Sequence, residues 1–296
     1  MIKVLSLFDG ISAGRLALER AGIQVSSYYK AEIDKFANKV SETHYMYDLN
    51  FGDVTKWREW DLDWSTIDLL IGGFPCQAFS FAGNQKGFED SRGALFFSYL
   101  EILNHIKSFN PNIKFLAENV KMKKEYLDII SSYLGVEPLF INSAVVSAQN
   151  RQRFYWCNWE VTLLPDNDVR VEYIIEDMPE GASEVRCGAY RGRYLVNGVR
   201  QDGKMLTAGL TTQRLEVRKD FKTNCLTTVQ KDNVLVFSDA NNIIYTRYLT
   251  VTECARLQGF PDDWCNVISK SQTLKAYGNS WTIDVIAHLF KNMIEK

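Results

Sequence analysis

The sequence predicts an α/β protein built on a doubly wound, mostly parallel sheet, with a smaller β-rich module later in the chain. Three observations lead there. Short apolar or β-branched runs alternate with amphipathic helical stretches over the first 160 or so residues, the pattern of parallel strands joined by helices. A basic, glycine- and threonine-rich stretch follows, and the last residues return to helical spacing.

In order, residues 4–8 form the first strand, ending at Asp9-Gly10, and residues 11–21 place Ile11, Leu16 and Leu18 near helical spacing before Gly22 stops the helix. Residues 25–32 make the next strand. Residues 35–45 make a helix with Phe36, Val40 and His44 on one face. Further buried strands are expected over 67–72, 114–118 and 139–143, with helices over 95–106 and 126–134 between them. From 160 to 184 the chain carries eight acidic residues against one basic, Arg170. From 186 to 231 it carries ten Lys or Arg against three Asp or Glu, with five glycines between 188 and 209. Such a stretch reads either as a loop-rich β module with a nucleic-acid-binding face or as a solvated basic region. After Trp281, a stripe of Ile283, Ile286, Ala287, Phe290 and Met293 needs a surface to cover, for which the first sheet is the candidate.

Composition narrows the function classes. With 296 residues, 46% hydrophobic and 13% aromatic, the chain is neither disordered, collagen-like nor a coiled coil. A net charge of -2 excludes binding nucleic acid by bulk positive charge and leaves a local basic surface open. Six dispersed cysteines without a C-x-x-C pair, and three histidines, suggest neither a disulfide framework nor a metal site. The first residues lack the pattern of a signal peptide, and no run approaches eighteen apolar residues, so the expectation is a cytoplasmic protein with no membrane partner and free thiols.

In doubly wound sheets ligands lie beyond the carboxyl ends of the strands. The residues there are Phe8-Asp9-Gly10, Glu32, Asp53, Phe74-Pro75-Cys76 and Glu118-Asn119. The glycine turn at 8–14 serves either a nucleoside-type cofactor or tight packing, because its spacing is not G-x-G-x-x-G. Glu32 suits hydrogen bonds to a ribose. Asp53 reads as an adenine acceptor or as a plain turn aspartate. Cys76, after two glycines at a strand end, is either a reactive thiolate or a buried structural thiol. Glu118 in a closed site would be raised in pKa and able to donate a proton. Arg151 and Arg153 alternate along a strand, where a guanidinium pair holds phosphate or a pyrimidine carbonyl, or makes surface ion pairs.

Together these pieces resemble the DNA (cytosine-5) methyltransferase family over essentially the whole chain. LFDGISAG is similar to its cofactor motif, and GFPCQAFSFAG with GFEDSRGALFF to the nucleophile motif and its mobile loop. AENV matches the glutamate motif, QNRQR the Q-x-R-x-R motif, RYLTVTECARLQGFP the motif before the closing segment and GNSWTIDVIAHLF the last motif. The nucleophile loop looks most like bacterial restriction-modification enzymes; INSAVVSAQNRQRFYW and GNSW look like mammalian de novo methyltransferase catalytic domains and short phage or bacterial relatives.

The resemblance implies a Rossmann-like S-adenosylmethionine-dependent catalytic domain over 1–176, a short target recognition domain over 177–245, a hinge over 246–275 and a C-terminal helix over 276–296 that returns to the catalytic domain. Cys76 would be the nucleophile, Glu118 the group at cytosine N3, and Arg153 with Arg151 the holders of the base oxygen. Phe8, Asp9, Gly10, Ile11, Glu32, Ile33, Asp53, Val54, Pro75, Leu95, Asn279, Ser280 and Trp281 would line the S-adenosylmethionine site, which releases S-adenosylhomocysteine and needs no metal. Many relatives have Trp where this chain has Ile33. Gln77, Arg92, Arg191, Arg193, Arg214 and Thr227 would touch double-stranded DNA, with the loop over 77–92 as lid and the protein a monomer. A transfer RNA methyltransferase on the same fold competes, although its C-F-T motif is missing here. So does a non-catalytic DNA-binding relative, which would be expected to lose one of Cys76, Glu118, Arg151 and Arg153.

Overall fold

The computed structural model describes residues 1–75, 94–196, 199–200, 211–227, 229–239 and 242–294. The chain forms two compact units. The first unit gathers Met1–Asn142, Gln152–Pro165 and Trp264–Lys296; the second holds Ser143–Arg151 and Asp166–Asp263.

The first unit is a seven-stranded sheet of β1 (Ile2–Leu7), β2 (Val25–Ala31), β3 (Leu49–Asn50), β4 (Leu69–Gly73), β5 (Lys114–Val120), β6 (Leu139–Asn142) and β7 (Gln152–Cys157). Their order is β3-β2-β1-β4-β5-β7-β6. The chain runs outward from β1 to β3 and then returns to lay β4 against β1's other side, in parallel with Leu7 opposite Gly72. That reversal creates a switch point at the carboxyl ends of β1 and β4. The expected parallel, doubly wound sheet is therefore present, with one departure. Strand β7 runs antiparallel to both β5 and β6, a hairpin return that runs of hydrophobicity do not distinguish from another crossover.

Helices α1 (Ala13–Arg20), α2 (Lys35–His44), α3 (Ala94–Phe109) and α4 (Lys124–Leu134) connect these strands. Phe96, Tyr99, Ile102, Leu103 and Ile106 of α3 are buried with Ile67, Leu70, Phe115 and Trp156 in one apolar cluster, whose removal from water drives the layer together. Asp34 caps α2, accepting from the amides of Phe36 and Ala37. The unit's last two helices are α6 (Lys270–Asn279) and α7 (Ile283–Ile294). The α7 stripe is buried at Ile283, Ile286, Ala287 and Phe290, and the helix packs beside α1. Trp159, just beyond β7, donates to the Leu289 carbonyl at 2.9 Å.

The second unit carries an antiparallel sheet in the order β10-β8-β11-β12, formed by β8 (Glu184–Val196), β10 (Thr211–Val217), β11 (Val234–Ser238) and β12 (Ile243–Tyr248), with β9 (Val199–Arg200) paired to β8. This is the expected smaller β-rich module. Helix α5 (Val251–Gln258) follows, started by a capping box in which Thr250 and Glu253 satisfy each other's amides. Lys222 ties the unit's separate segments by donating to the carbonyl oxygens of Ala144 at 2.7 Å and of Val169.

Candidate active site

Residues after β1 leave the strand by an unusual turn. Phe8, Gly10 and Ser12 all have positive φ (58°, 61° and 60°), and a Cβ on Gly10 would meet nothing within 4 Å. Gly10 takes this left-handed backbone without strain, as Phe8 and Ser12 do not, and stands beside open space. The turn is fixed from both sides. The Gly10 amide donates to Glu32 Oε2 at 2.8 Å, and the Asp34 amide to Glu32 Oε1 at 2.7 Å. Burial raises the Glu32 carboxyl above its ordinary value, and the amides of Asp34 and Gly10 work against that.

Asp9 turns inward. Its carboxylate accepts from Ser6 Oγ at 2.6 Å, Tyr28 Oη at 2.7 Å and Ser12 Oγ at 2.7 Å. Ser12 Oγ also meets Ser41 Oγ at 2.5 Å, and Ser41 accepts from Lys30 Nζ, a lysine with 0% exposure. A buried polar chain therefore runs from Lys30 to the turn. Sequence reading missed it; the available signal was a serine and a lysine, Ser6 and Lys30, at positions of apolar strands that face the interior.

Other positions assigned to the cofactor lie at or near the same strand ends. Ile33 follows Glu32 with 76% of its surface exposed. Asp53 caps a short 3-10 turn, accepting from the amide and hydroxyl of Thr55 at 2.9 and 2.8 Å, and these bonds hold its carboxyl below the ordinary range. Val54 is buried, Leu95 is half-buried against the α3 cluster and Pro75 follows β4. Asn279 ends α6, followed by buried Ser280 and half-buried Trp281.

At the carboxyl edge of β4, Gly73 stands opposite Glu118 of β5. Glu118 is 8% exposed. Its Oε1 pairs with Arg153 Nε at 3.0 Å, and its Oε2 accepts from the Trp281 indole nitrogen at 3.1 Å. Arg153 reaches it from β7, whose register sets Arg153 opposite Val120. A Cβ on Gly73 would lie 2.8 Å from both Glu118 Oε2 and Trp281 Nε1, and one on Gly72 would lie 3.0 Å from the Leu7 carbonyl oxygen. The two glycines leave room for this constellation. Asn119, placed at a strand end by the sequence but given no role there, donates to the Phe74 carbonyl at 3.1 Å and so ties β5 to the start of the F-P-C segment. Cys76, Gln77 and Arg92, with the loop over 77–92, lie outside the described residues.

In the second unit, Arg151 is 3% exposed and donates to Cys225 Sγ at 3.3 Å. It precedes the first residue of β7. On the antiparallel sheet Arg191 and Arg214 stand directly opposite each other. Asp232 lies 3.9 Å from Arg191 and accepts from Thr227 Oγ1 at 3.0 Å. The backbone of Arg193 faces Thr212, and its side chain lies outside the described residues. Among the described residues no cluster of His, Cys, Asp and Glu has the makings of a metal site, and no helix is long and apolar enough to cross a membrane. Burial pushes the thiols of Cys157, Cys187 and Cys265 up to about 11, which makes them poor nucleophiles at neutral pH.

A switch-point turn, a buried carboxylate held by two amides and an arginine-held glutamate in one unit define a doubly wound α/β fold with polar groups gathered at its strand ends. The profile of C-5 cytosine-specific DNA methylases matches residues 2–158 and 189–295, and the chain belongs to that family. It is 32% identical to the type II methyltransferase M1.ScrFI of Lactococcus lactis subsp. cremoris, over 99% of this chain and 78% of that one. With M.HhaI of Haemophilus parahaemolyticus the identity is 29%, covering 99% and 94%. In fold it is similar to the DNMT2 of Spodoptera frugiperda, solved as a mutant, with a TM-score of 0.65 at 18% identity over 100% of both chains.

Proposed function

We propose that the protein transfers a methyl group from S-adenosylmethionine to C5 of a cytosine flipped out of a short duplex DNA site, through a transient bond between Cys76 and C6 of the base. One observation carries this reading: Glu118 sits at the carboxyl edge of the sheet with its two oxygens held by Arg153 and Trp281, opposite the glycine that precedes F-P-C.

The residues fit the cofactor. Open space beside Gly10 and a buried Glu32 held by two amides suit the close approach of a nucleoside, whose ribose hydroxyls donate to the carboxylate's remaining lone pairs. Phe8, Asp9, Gly10, Ile11, Glu32, Ile33, Asp53, Val54, Pro75, Leu95, Asn279, Ser280 and Trp281 hold it in this reading, Asp9 through its backbone because its carboxylate faces three hydroxyls. Bound there, S-adenosylmethionine supplies an electrophilic methyl group.

Cytosine C5 is a weak nucleophile. The Cys76 thiolate gives its electron pair to C6, and the ring electrons displaced to N3 take up the proton of the Glu118 carboxyl group, which makes C5 the electron-rich carbon of an enamine. Arg153 holds the base oxygen, with Arg151 assisting. Once C5 carries the methyl group a water molecule takes its proton, and the C–H electrons form the C5=C6 bond as the C6–S bond breaks with its pair returning to Cys76. N3 gives its proton back to Glu118, so the ring is aromatic again. A stacked base is out of reach of this chemistry, hence the flipped nucleotide.

Arg191 and Arg214, opposite each other on the sheet with Asp232 3.9 Å from Arg191, support a DNA surface over 177–245, since two neighbouring positive charges with one carboxylate near them suit a phosphate. Arg193, Thr227, Gln77 and Arg92 complete the proposed contacts, and the recognised site is six base pairs or fewer. The test is tritium transfer from labelled S-adenosylmethionine to mixed-sequence duplex DNA and, separately, to transfer RNA, with the Cys76→Ala variant as control. Cys76-dependent label in DNA is the expected result. Label in transfer RNA alone moves the mechanism to that substrate, and label in neither leaves a DNA-binding relative.

A further inference from the structure

We infer that Trp281 is a positioning residue for Glu118: its indole N–H fixes the carboxyl plane that faces the base, so the segment after α6 serves the catalytic glutamate as well as the cofactor. This rests on the reading of Glu118 given above and goes beyond it.

The geometry is specific. Trp281 lies between α6 and α7, and α7 is anchored by its buried stripe. The benzene edge of the indole comes within 3.3 Å of where a Cβ on Gly14 of α1 would lie. Its pyrrole edge passes beside Gly73 and donates to Glu118 Oε2 at 3.1 Å. The ring therefore spans from the helix that follows the cofactor turn to the glutamate. Ala at Gly14 would press into Ile71 Cδ1 at 2.5 Å, and at Gly73 into the hydrogen bond itself, so two small residues keep the indole in place.

The chemistry explains why a tryptophan serves. An indole nitrogen only donates, and so does the guanidinium on the other oxygen. Two obligate donors, one per oxygen, stop the carboxyl group from rotating, and each oxygen keeps one direction for the base, one for the proton shared with N3 and the other to accept from the exocyclic amino group. Without the indole, Glu118 would be held at Oε1 alone and would turn about the Arg153 contact. A preorganised partner at a developing charge contributes to the rate without strengthening ground-state binding.

The experiment combines structure and kinetics. In uniformly 15N-labelled protein, the Trp281 indole signal is identified by its loss in Trp281→Phe, and its position is compared in Glu118→Gln. Replacing Trp281 by benzothienylalanine, which keeps the ring shape and puts sulfur where the N–H was, separates the hydrogen bond from packing. We expect the indole signal to move in Glu118→Gln. We also expect kcat for DNA methylation to fall about ten-fold in the benzothienyl variant, with S-adenosylmethionine affinity within two-fold of wild type and no further loss when combined with Glu118→Gln. An unmoved signal, an unchanged kcat, or affinity lost in step with kcat overturns the inference while leaving the catalytic reading intact. A wild-type protein that methylates neither DNA nor transfer RNA overturns both.

Discussion

Gly73 shows how far a single position constrains this site. Its missing side chain is the space through which Glu118 Oε2 and Trp281 Nε1 meet, each 2.8 Å from the place a Cβ would take. Gly73→Ala is expected to lower kcat at least ten-fold and to cost roughly 1–3 kcal/mol of stability through overpacking, checked by steady-state kinetics and denaturant unfolding. Asp48 offers a pH test. Burial, partly opposed by Arg15, lifts its carboxyl from 3.8 to about 6, so the folded protein keeps a proton that the unfolded chain loses. Stability contributed by that proton falls as pH rises from about 4 to 6. Asp48→Asn should therefore be more stable than wild type above pH 6, by roughly 1–2 kcal/mol once solvent screening is allowed for, the attraction of Arg15 at 3.7 Å being already contained in the shift. The gain should vanish near pH 4 in melts across that range; a constant difference would refute this account.

At the scale of elements, the junction of β12 and α5 depends on one buried carboxylate. Glu253, with no side-chain exposure, receives Arg247 at 2.7 and 2.8 Å and the amides of Thr250 and Glu176. Burial alone would raise its carboxyl, but Arg247 and these amides hold it below the ordinary value. Its stabilisation is therefore complete above the unfolded value of 4.5 and is lost on acidification. Glu253→Ala should cost about 3–5 kcal/mol at neutral pH, because it leaves Arg247 without its partner, and chemical denaturation would measure this. The facing pair on β8 and β10 predicts salt behaviour: Arg191→Ala and Arg214→Ala should each weaken DNA binding and reduce the slope of log K against log salt by about one. Slopes equal to wild type would remove both residues from the phosphate contacts. Of these elements, most were legible as alternating runs. The antiparallel return of β7 was not, because the order of residues along a strand reads alike whichever way it runs beside its neighbours, and the pairing partners that set its direction lie far away in the sequence.

For the molecule as a whole, the first unit is assembled from three separated stretches of chain. Ending the chain after Asp263 would remove α6 and α7, and with them buried Ile283, Val285, Ile286, Leu289 and Phe290, each contributing roughly 1.5–3 kcal/mol by its burial, and would uncover the apolar surface that they cover. Such a truncation is expected to be insoluble or to lose cooperative unfolding, and to bind no S-adenosylmethionine by calorimetry. A folded, cofactor-binding product would show that the C-terminal segment is dispensable.

The sequence by itself determined the doubly wound sheet, the β-rich module and the identity of the motifs, because periodicity, glycine turns and short motifs are local and survive in one dimension. It also placed Glu118, Glu32 and Gly10 at strand ends. Only the tertiary structure decided what those groups touch. Asp9 turned inward to three hydroxyls, Lys30 became a buried donor, and Trp281 reached Glu118 across 163 positions of sequence. Such pairings depend on how strand order and helix packing fold distant segments together, and nothing within reach of either residue along the chain encodes them.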